Sequence, residues 1–148
     1  MILSAQSIRA ARIINPCHER TCKDGLTYGL GPASYDIRLD DDVNIPQHGF
    51  ALCSSLEIFC MPSDVLGVVH DKSSWVRKGI CVQNTIIDPG WCGYLTLELT
   101  NHWMSSMPCY IKAGTPIAQI VFHRLDQATK IPYSGKYQNQ ERGPQEAR

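Results

Sequence analysis

Hydrophobic and polar positions alternate along the longest patterned stretches with the two-residue period of a half-buried strand. From Ser34 to Leu39, Tyr35, Ile37 and Leu39 fall on one face and Asp36 and Arg38 on the other. From Tyr94 to Thr100, Leu95, Leu97 and Leu99 point one way while Tyr94, Thr96, Glu98 and Thr100 point the other. Ile117 to Phe122 is largely apolar, and Asp88-Pro89-Gly90 and Gly114-Thr115-Pro116 carry the residues of tight turns. Short apolar stretches punctuated by turns predict an all-β barrel or sandwich. One short helix is expected, capped by Ser4 and running through Arg12 with Ile8 and Ala11 on one face. It ends before Asn15-Pro16, because a residue preceding proline disfavours the helical region. Beyond Asp126 the pattern fades. Residues 131–148 are polar, with Pro132, Gly135, Gly143 and Pro144, and read as a flexible tail whose Lys136, Arg142 and Arg148 leave open ordering on an anionic ligand.

Composition narrows the function. The 148 residues suffice for one domain with a real core, and 43% hydrophobic with 19% charged residues is a globular profile. Fourteen basic residues balance fourteen acidic ones, which argues against a partner as anionic as a nucleic-acid polymer. A local cluster of Lys and Arg can still hold a phosphate. No apolar run approaches the roughly 18 residues of a membrane span, and Met1 to Ala11 lacks the apolar stretch of a signal peptide, so a cytoplasmic protein with no membrane partner is expected. Seven cysteines, an odd number, point to reduced thiols rather than a disulfide framework. Cys17-His18-Glu19-Arg20-Thr21-Cys22 looks metal-like, but no C-x2-C pair exists to complete a zinc site, and it reads as a polar loop.

The densest chemistry lies between Asp71 and Asn101, which holds adjacent hydroxyls, three cations, an Asp in a turn and a Glu inside an apolar strand. Glu98, flanked by Leu97 and Leu99, either faces solvent, the commoner arrangement for a charge on a half-buried strand, or lines a polar cavity. Taken singly, Ser73-Ser74 fits a turn, Arg77-Lys78 a solvated face and Trp91 ordinary packing. The five histidines show no metal-ligand spacing. The zinc-deaminase signature, a Walker loop and a G-x-S-x-G elbow are all missing.

Taken in order, these pieces resemble the dCTP deaminases and, more distantly, the trimeric dUTPases. The pieces are Ala33-Ser34-Tyr35-Asp36-Ile37-Arg38-Leu39, Pro62 to Gly67, Lys72-Ser73-Ser74-Trp75-Val76-Arg77-Lys78-Gly79, and Ile87-Asp88-Pro89-Gly90-Trp91. After them come Leu97-Glu98-Leu99 with Asn101, Gly114 to Gln119, and the tail Pro132-Tyr133, Lys136-Tyr137, Asn139-Gln140. The resemblance implies a distorted β-barrel or jelly-roll protomer with a short N-terminal helix, assembled as a homotrimer with interfacial active sites. It implies a hydrolase acting on a cyclic amidine C–N bond: dCTP and water give dUTP and ammonia. Glu98 would activate water for attack on C4 of cytosine, with Ser73 and Arg77 completing the catalytic set. Lys72, Ser74, Tyr133, Lys136 and Gln140 would face the phosphates, and Asp88 and Trp91 the deoxyribose. Asn84 is the candidate near the base. The tail, residues 131–148, would close over bound nucleotide. Mg²⁺ would accompany the phosphates without being the catalyst, and no protein-held metal or zinc is implied.

Some features differ from those relatives. The segment from Gly79 to Ile87 is shorter than theirs, which bears on how the base is read, and Lys72 offers a point charge in place of a bidentate Arg. A dUTPase-type or bifunctional dUMP-forming enzyme is the alternative, in which Asp88 would orient water toward the α-phosphate. Against it stand Gly90-Trp91, where dUTPases carry a Tyr, and Arg142-Gly143-Pro144-Gln145 in place of a Gly-rich motif with an aromatic. A non-enzymatic nucleotide-binding regulator is the third reading, opposed by the joint presence of Glu98, Ser73 and Arg77.

Overall fold

The structure, a computed structural model, describes residues 1–83, 85–102 and 108–147. A two-turn helix, α1 (Ala5–Ala11), precedes a chain of strands: β1 (Ile14–Asn15), β2 (Thr21–Lys23), β3 (Leu26–Leu30), β4 (Tyr35–Arg38), β5 (Val43–Ile45), β6 (Phe50–Cys60) and β7 (Val65–Asp71). A one-turn helix, α2 (Ser73–Val76), follows. Then come β8 (Ile80–Val82), β9 (Ile86–Ile87), β10 (Cys92–Asn101), β11 (Cys109–Ile111) and β12 (Pro116–Arg124). One sheet has the order β1-β6-β10-β8, a second β2-β3-β4-β12-β7-β9, and β5 pairs with β11 as a small ribbon.

The alternation read from the sequence becomes the core. Tyr35, Ile37 and Leu39 are fully buried from one sheet, Leu97 and Leu99 from the other, and Phe59, Ile117, Ile120 and Phe122 fill the space between. The all-β expectation therefore holds, with strands curled around one apolar interior. In α1, Ile8 is buried and Ala11 half-buried as expected, but the Ser4 hydroxyl makes no cap bond and instead lies 3.3 Å from the Ser7 hydroxyl. The helix stops at Arg12, which adopts a left-handed conformation (φ 51°), before proline can act.

Two features required long-range contacts to be seen. Cys60 and Cys92 stand directly opposite on β6 and β10, with Cα atoms 4.2 Å apart, and are joined as a disulfide, correcting the expectation of reduced thiols for this pair. Cys17, Cys22, Cys53, Cys81 and Cys109 are free. The β6–β10 register also slips between Tyr94 and Thr96, where β6 bulges through Ser55, Leu56 and Glu57. The Ser55 hydroxyl fills the gap, accepting from the Leu95 amide at 2.9 Å and donating to the Glu57 carbonyl at 2.7 Å. The bulge turns Glu57 inward, fully buried, to accept from Arg38 through its backbone N–H (2.9 Å) and its Nε (2.8 Å).

Candidate active site

β10 carries the site because its two faces remain chemically distinct. Leu95, Leu97 and Leu99 are buried, while Thr96, Glu98 and Thr100 stand half-buried on the opposite face. Glu98, paired with Leu52 of β6, lines a cavity of about 540 Å³. Its apolar wall is Phe50, Leu52, Ile86, Ile87 and Leu95, and its polar groups include Asp88, Thr96, Tyr133, Gln140 and Gln145. Burial in this wall pushes the Glu98 carboxyl above the ordinary carboxylate range, partly offset by its own backbone N–H. The neighbouring Cys53 thiol is pushed up to about 12 by burial and by the Glu98 charge, so it stays protonated at neutral pH.

Asp88 enters the cavity from a tight turn. The Trp91 amide donates to the Asp88 carbonyl at 3.1 Å, and Gly90 takes the left-handed conformation (φ +86°) that closes the turn. Trp91 is 6% exposed and also lines the cavity; its indole N–H donates to the Tyr137 carbonyl at 2.7 Å.

The far wall comes from the tail. The Tyr133 amide donates to the Pro89 carbonyl at 2.8 Å, and Gln140 bridges Gly93 in parallel, its carbonyl accepting from the Tyr94 amide at 3.0 Å. Arg142 then pairs with Asp40 at 3.3 Å and lies over the Tyr94 ring. Tyr133, Tyr137, Gln140, Gln145 and Ala147 thereby face Glu98 across the cavity.

The remaining candidates gather elsewhere. Ser73 and Arg77, one helical turn apart at the ends of α2, are exposed. The Lys72 ammonium points inward to Asp36 at 2.6 Å, and the Ser74 hydroxyl is buried with no hydrogen-bond partner among the described residues. None of Lys72, Ser73, Ser74 and Arg77 lines the Glu98 cavity. Lys136 sits over the Tyr137 ring and borders a smaller polar cavity of about 160 Å³ in the tail. Asn84 lies outside the described residues. One protomer thus brings together Glu98, Asp88, Trp91, Tyr133 and Gln140, and holds the α2 group apart. Thr96, Phe50, Leu52 and Ile86 were not singled out by the sequence, although Thr96 shares the Glu98 face by simple alternation.

Residues 37–125, from within β4 through β12, match the family described as dCTP deaminase-like. The chain belongs to that family. The dCTP deaminase of Pyrococcus horikoshii is 36% identical over 157 residues, spanning 96% of this chain and 94% of its own. The crystal structure of 2′-deoxycytidine 5′-triphosphate deaminase from Agrobacterium tumefaciens superposes with a TM-score of 0.68 at 18% identity, over 83% of this chain. This chain spans 48% of that one. A dUTPase from phage phi11 of S. aureus, in a structure described for its coordination of a structural Mg(II) ion, superposes at 0.61 with 14% identity over 82% of this chain and 92% of its own. At these identities the structural likenesses establish the fold. Glu98, Asp88, Trp91 and α2 all fall inside the dCTP deaminase-like segment, and the tail that walls the cavity lies beyond it.

Among the described residues no helix is long and apolar enough to cross a membrane. Nor do three His, Cys, Asp or Glu side chains among them gather as a metal-binding group.

Proposed function

We propose that this protein is a dCTP deaminase, a hydrolase of the cyclic amidine C–N bond that converts dCTP and water to dUTP and ammonia. The observation that carries this is Glu98: a carboxyl raised by burial, on the Leu-Glu-Leu strand of a dCTP deaminase-like segment, facing a cavity of nucleotide size. Hydrolytic deamination needs a base for water and an acid for ammonia, and one carboxyl poised near the working pH serves both in turn. In this reading Glu98 takes a proton from water as its oxygen attacks C4 of cytosine. It delivers that proton to N3, then takes the hydroxyl proton of the tetrahedral intermediate and gives it to the departing amine. The products are dUTP and ammonia, and Glu98 returns ionised.

Asp88 and Trp91 would hold the deoxyribose, while Tyr133, Lys136 and Gln140 would approach the phosphates. Ser73 and Arg77, exposed and outside the cavity of their own protomer, would serve a site shared between subunits of a homotrimer. The same assembly would bring Lys72 and Ser74 near the phosphates, where Mg²⁺ would neutralise charge. A cytoplasmic setting belongs to the same reading.

The test is incubation with dCTP, dCMP and dUTP while following ammonia, pyrophosphate and nucleotide. Ammonia from dCTP without pyrophosphate is expected. Pyrophosphate from dUTP with no ammonia from any cytidine nucleotide would transfer the assignment to the dUTPases that share this fold. Glu98→Gln is expected to lower the deamination rate by about 10²- to 10⁴-fold, and an undiminished rate would overturn the role of Glu98.

A further inference from the structure

The tail is fastened to the strand that bears Glu98. Thr96 stands two residues before Glu98 on the same face of β10 and lines the same cavity. Its hydroxyl oxygen accepts from the Gln140 side-chain amide and from the Gln145 backbone N–H, the latter at 2.9 Å. A hydroxyl has two lone pairs and can take both bonds at once, whereas a valine of the same shape takes neither. A second fastening lies upstream. The Gln138 carboxamide spans the turn into β10, donating from Nε2 to the Gly90 carbonyl and accepting at Oε1 from the Cys92 amide, both at 2.9 Å. Gln140 lies within the segment fastened at these points and Tyr137 immediately precedes Gln138; both line the cavity, as does Tyr133 further upstream.

We propose that Thr96 is a positioning residue: its hydroxyl, with Gln138 as the second point, holds the tail at a fixed register to Glu98, and so sets nucleotide affinity without touching the reacting atoms. What the tail closes over rests on the deaminase reading; its fastening does not. The experiment therefore has two arms. In the first, the ligand-free protein is treated with trypsin and cleavage after Lys136 and Arg142 is followed by intact mass. Thr96→Val should be cut roughly ten- to a hundredfold faster than the parent, the effect of two lost hydrogen bonds on tail opening, and Thr96→Ser should restore the parent rate. In the second, Thr96→Val should raise KM for dCTP by a larger factor than it lowers kcat.

Parent-like cleavage of Thr96→Val, or faster cleavage with an unchanged KM, would overturn the proposal. Gln138→Ala should show the same pair of effects, and decides the matter if Thr96→Val does not fold. If no cytidine nucleotide is turned over by the parent, the deaminase reading fails while the cleavage rates still judge the latch.

Discussion

At the scale of single residues, two carboxylates sit above their ordinary range for the same cause, burial, and with different consequences. Glu98 is raised by desolvation in the cavity wall, with its own backbone N–H pulling the other way. A carboxyl raised in the folded state binds its proton more tightly there than in the unfolded chain. Its contribution therefore favours the fold at low pH and is lost as pH rises through the folded value. Glu98→Gln should thus raise the melting temperature at pH 8 while lowering the deamination rate, and that gain should shrink as the pH falls toward 4. Thermal unfolding of both proteins at the two pH values checks it, and a variant that melts lower at pH 8 would contradict it. Glu57 is fully buried and raised chiefly by desolvation, with its bonds to Arg38 pulling the other way. Arg38→Met leaves that carboxylate without its cation and should cost about 3–5 kcal/mol at pH 8. The loss should ease near pH 5, where more of the Glu57 population is protonated in the variant. Chemical denaturation at both pH values measures the difference. An Arg38→Met/Glu57→Met double variant should recover much of the stability, because the pair is then replaced by apolar groups.

At the scale of elements, the docking of the tail depends on two glycines. Gly93 (φ +151°) has no room for a side chain: a Cβ there would lie 2.7 Å from the Gln140 backbone nitrogen and 2.9 Å from its carbonyl oxygen. A Cβ on Gly90 would lie 2.6 Å from Pro132. Gly93→Ala should push the tail off β10, speeding trypsin cleavage after Lys136 and Arg142, with β10 still paired to β6. Retention of the parent β-sheet circular dichroism would show that only the tail had moved. These contacts also explain what the sequence could and could not disclose. β4 and β10 were legible because each obeys the two-residue alternation, and β12 because a largely apolar run follows the Gly114-Thr115-Pro116 turn. Glu98 was ambiguous, since alternation places a residue on a face but cannot say what covers it. The cover comes from Tyr133, Gln140 and Gln145, more than 30 positions away, in a segment with no periodicity. The Cys60–Cys92 link and the inward turn of Glu57 were hidden likewise, being set by the β6–β10 register and its bulge.

At the scale of the whole molecule, the division of the candidate residues is the informative fact. Glu98 faces a cavity walled by its own tail, while Ser73 and Arg77 stand exposed on α2 and outside that lining. Exposed catalytic candidates on one protomer and an incompletely furnished cavity on another are what a shared site in a cyclic assembly requires. This makes a sharp prediction for mixed oligomers. On the proposed homotrimeric reading, the Glu98→Gln and Arg77→Ala proteins should each be nearly inactive. If Glu98 and Arg77 of one working site come from different subunits, dissociating and reassembling an equal mixture places an intact Glu98 opposite an intact Arg77 at about one quarter of the sites. Activity should then return to about a quarter of the parent value per site, measured as ammonia released from dCTP. If both residues serve the site of their own protomer, every site in the mixture retains one defect and reassembly restores nothing. The mixing experiment thus distinguishes a site built within one chain from a site built between chains.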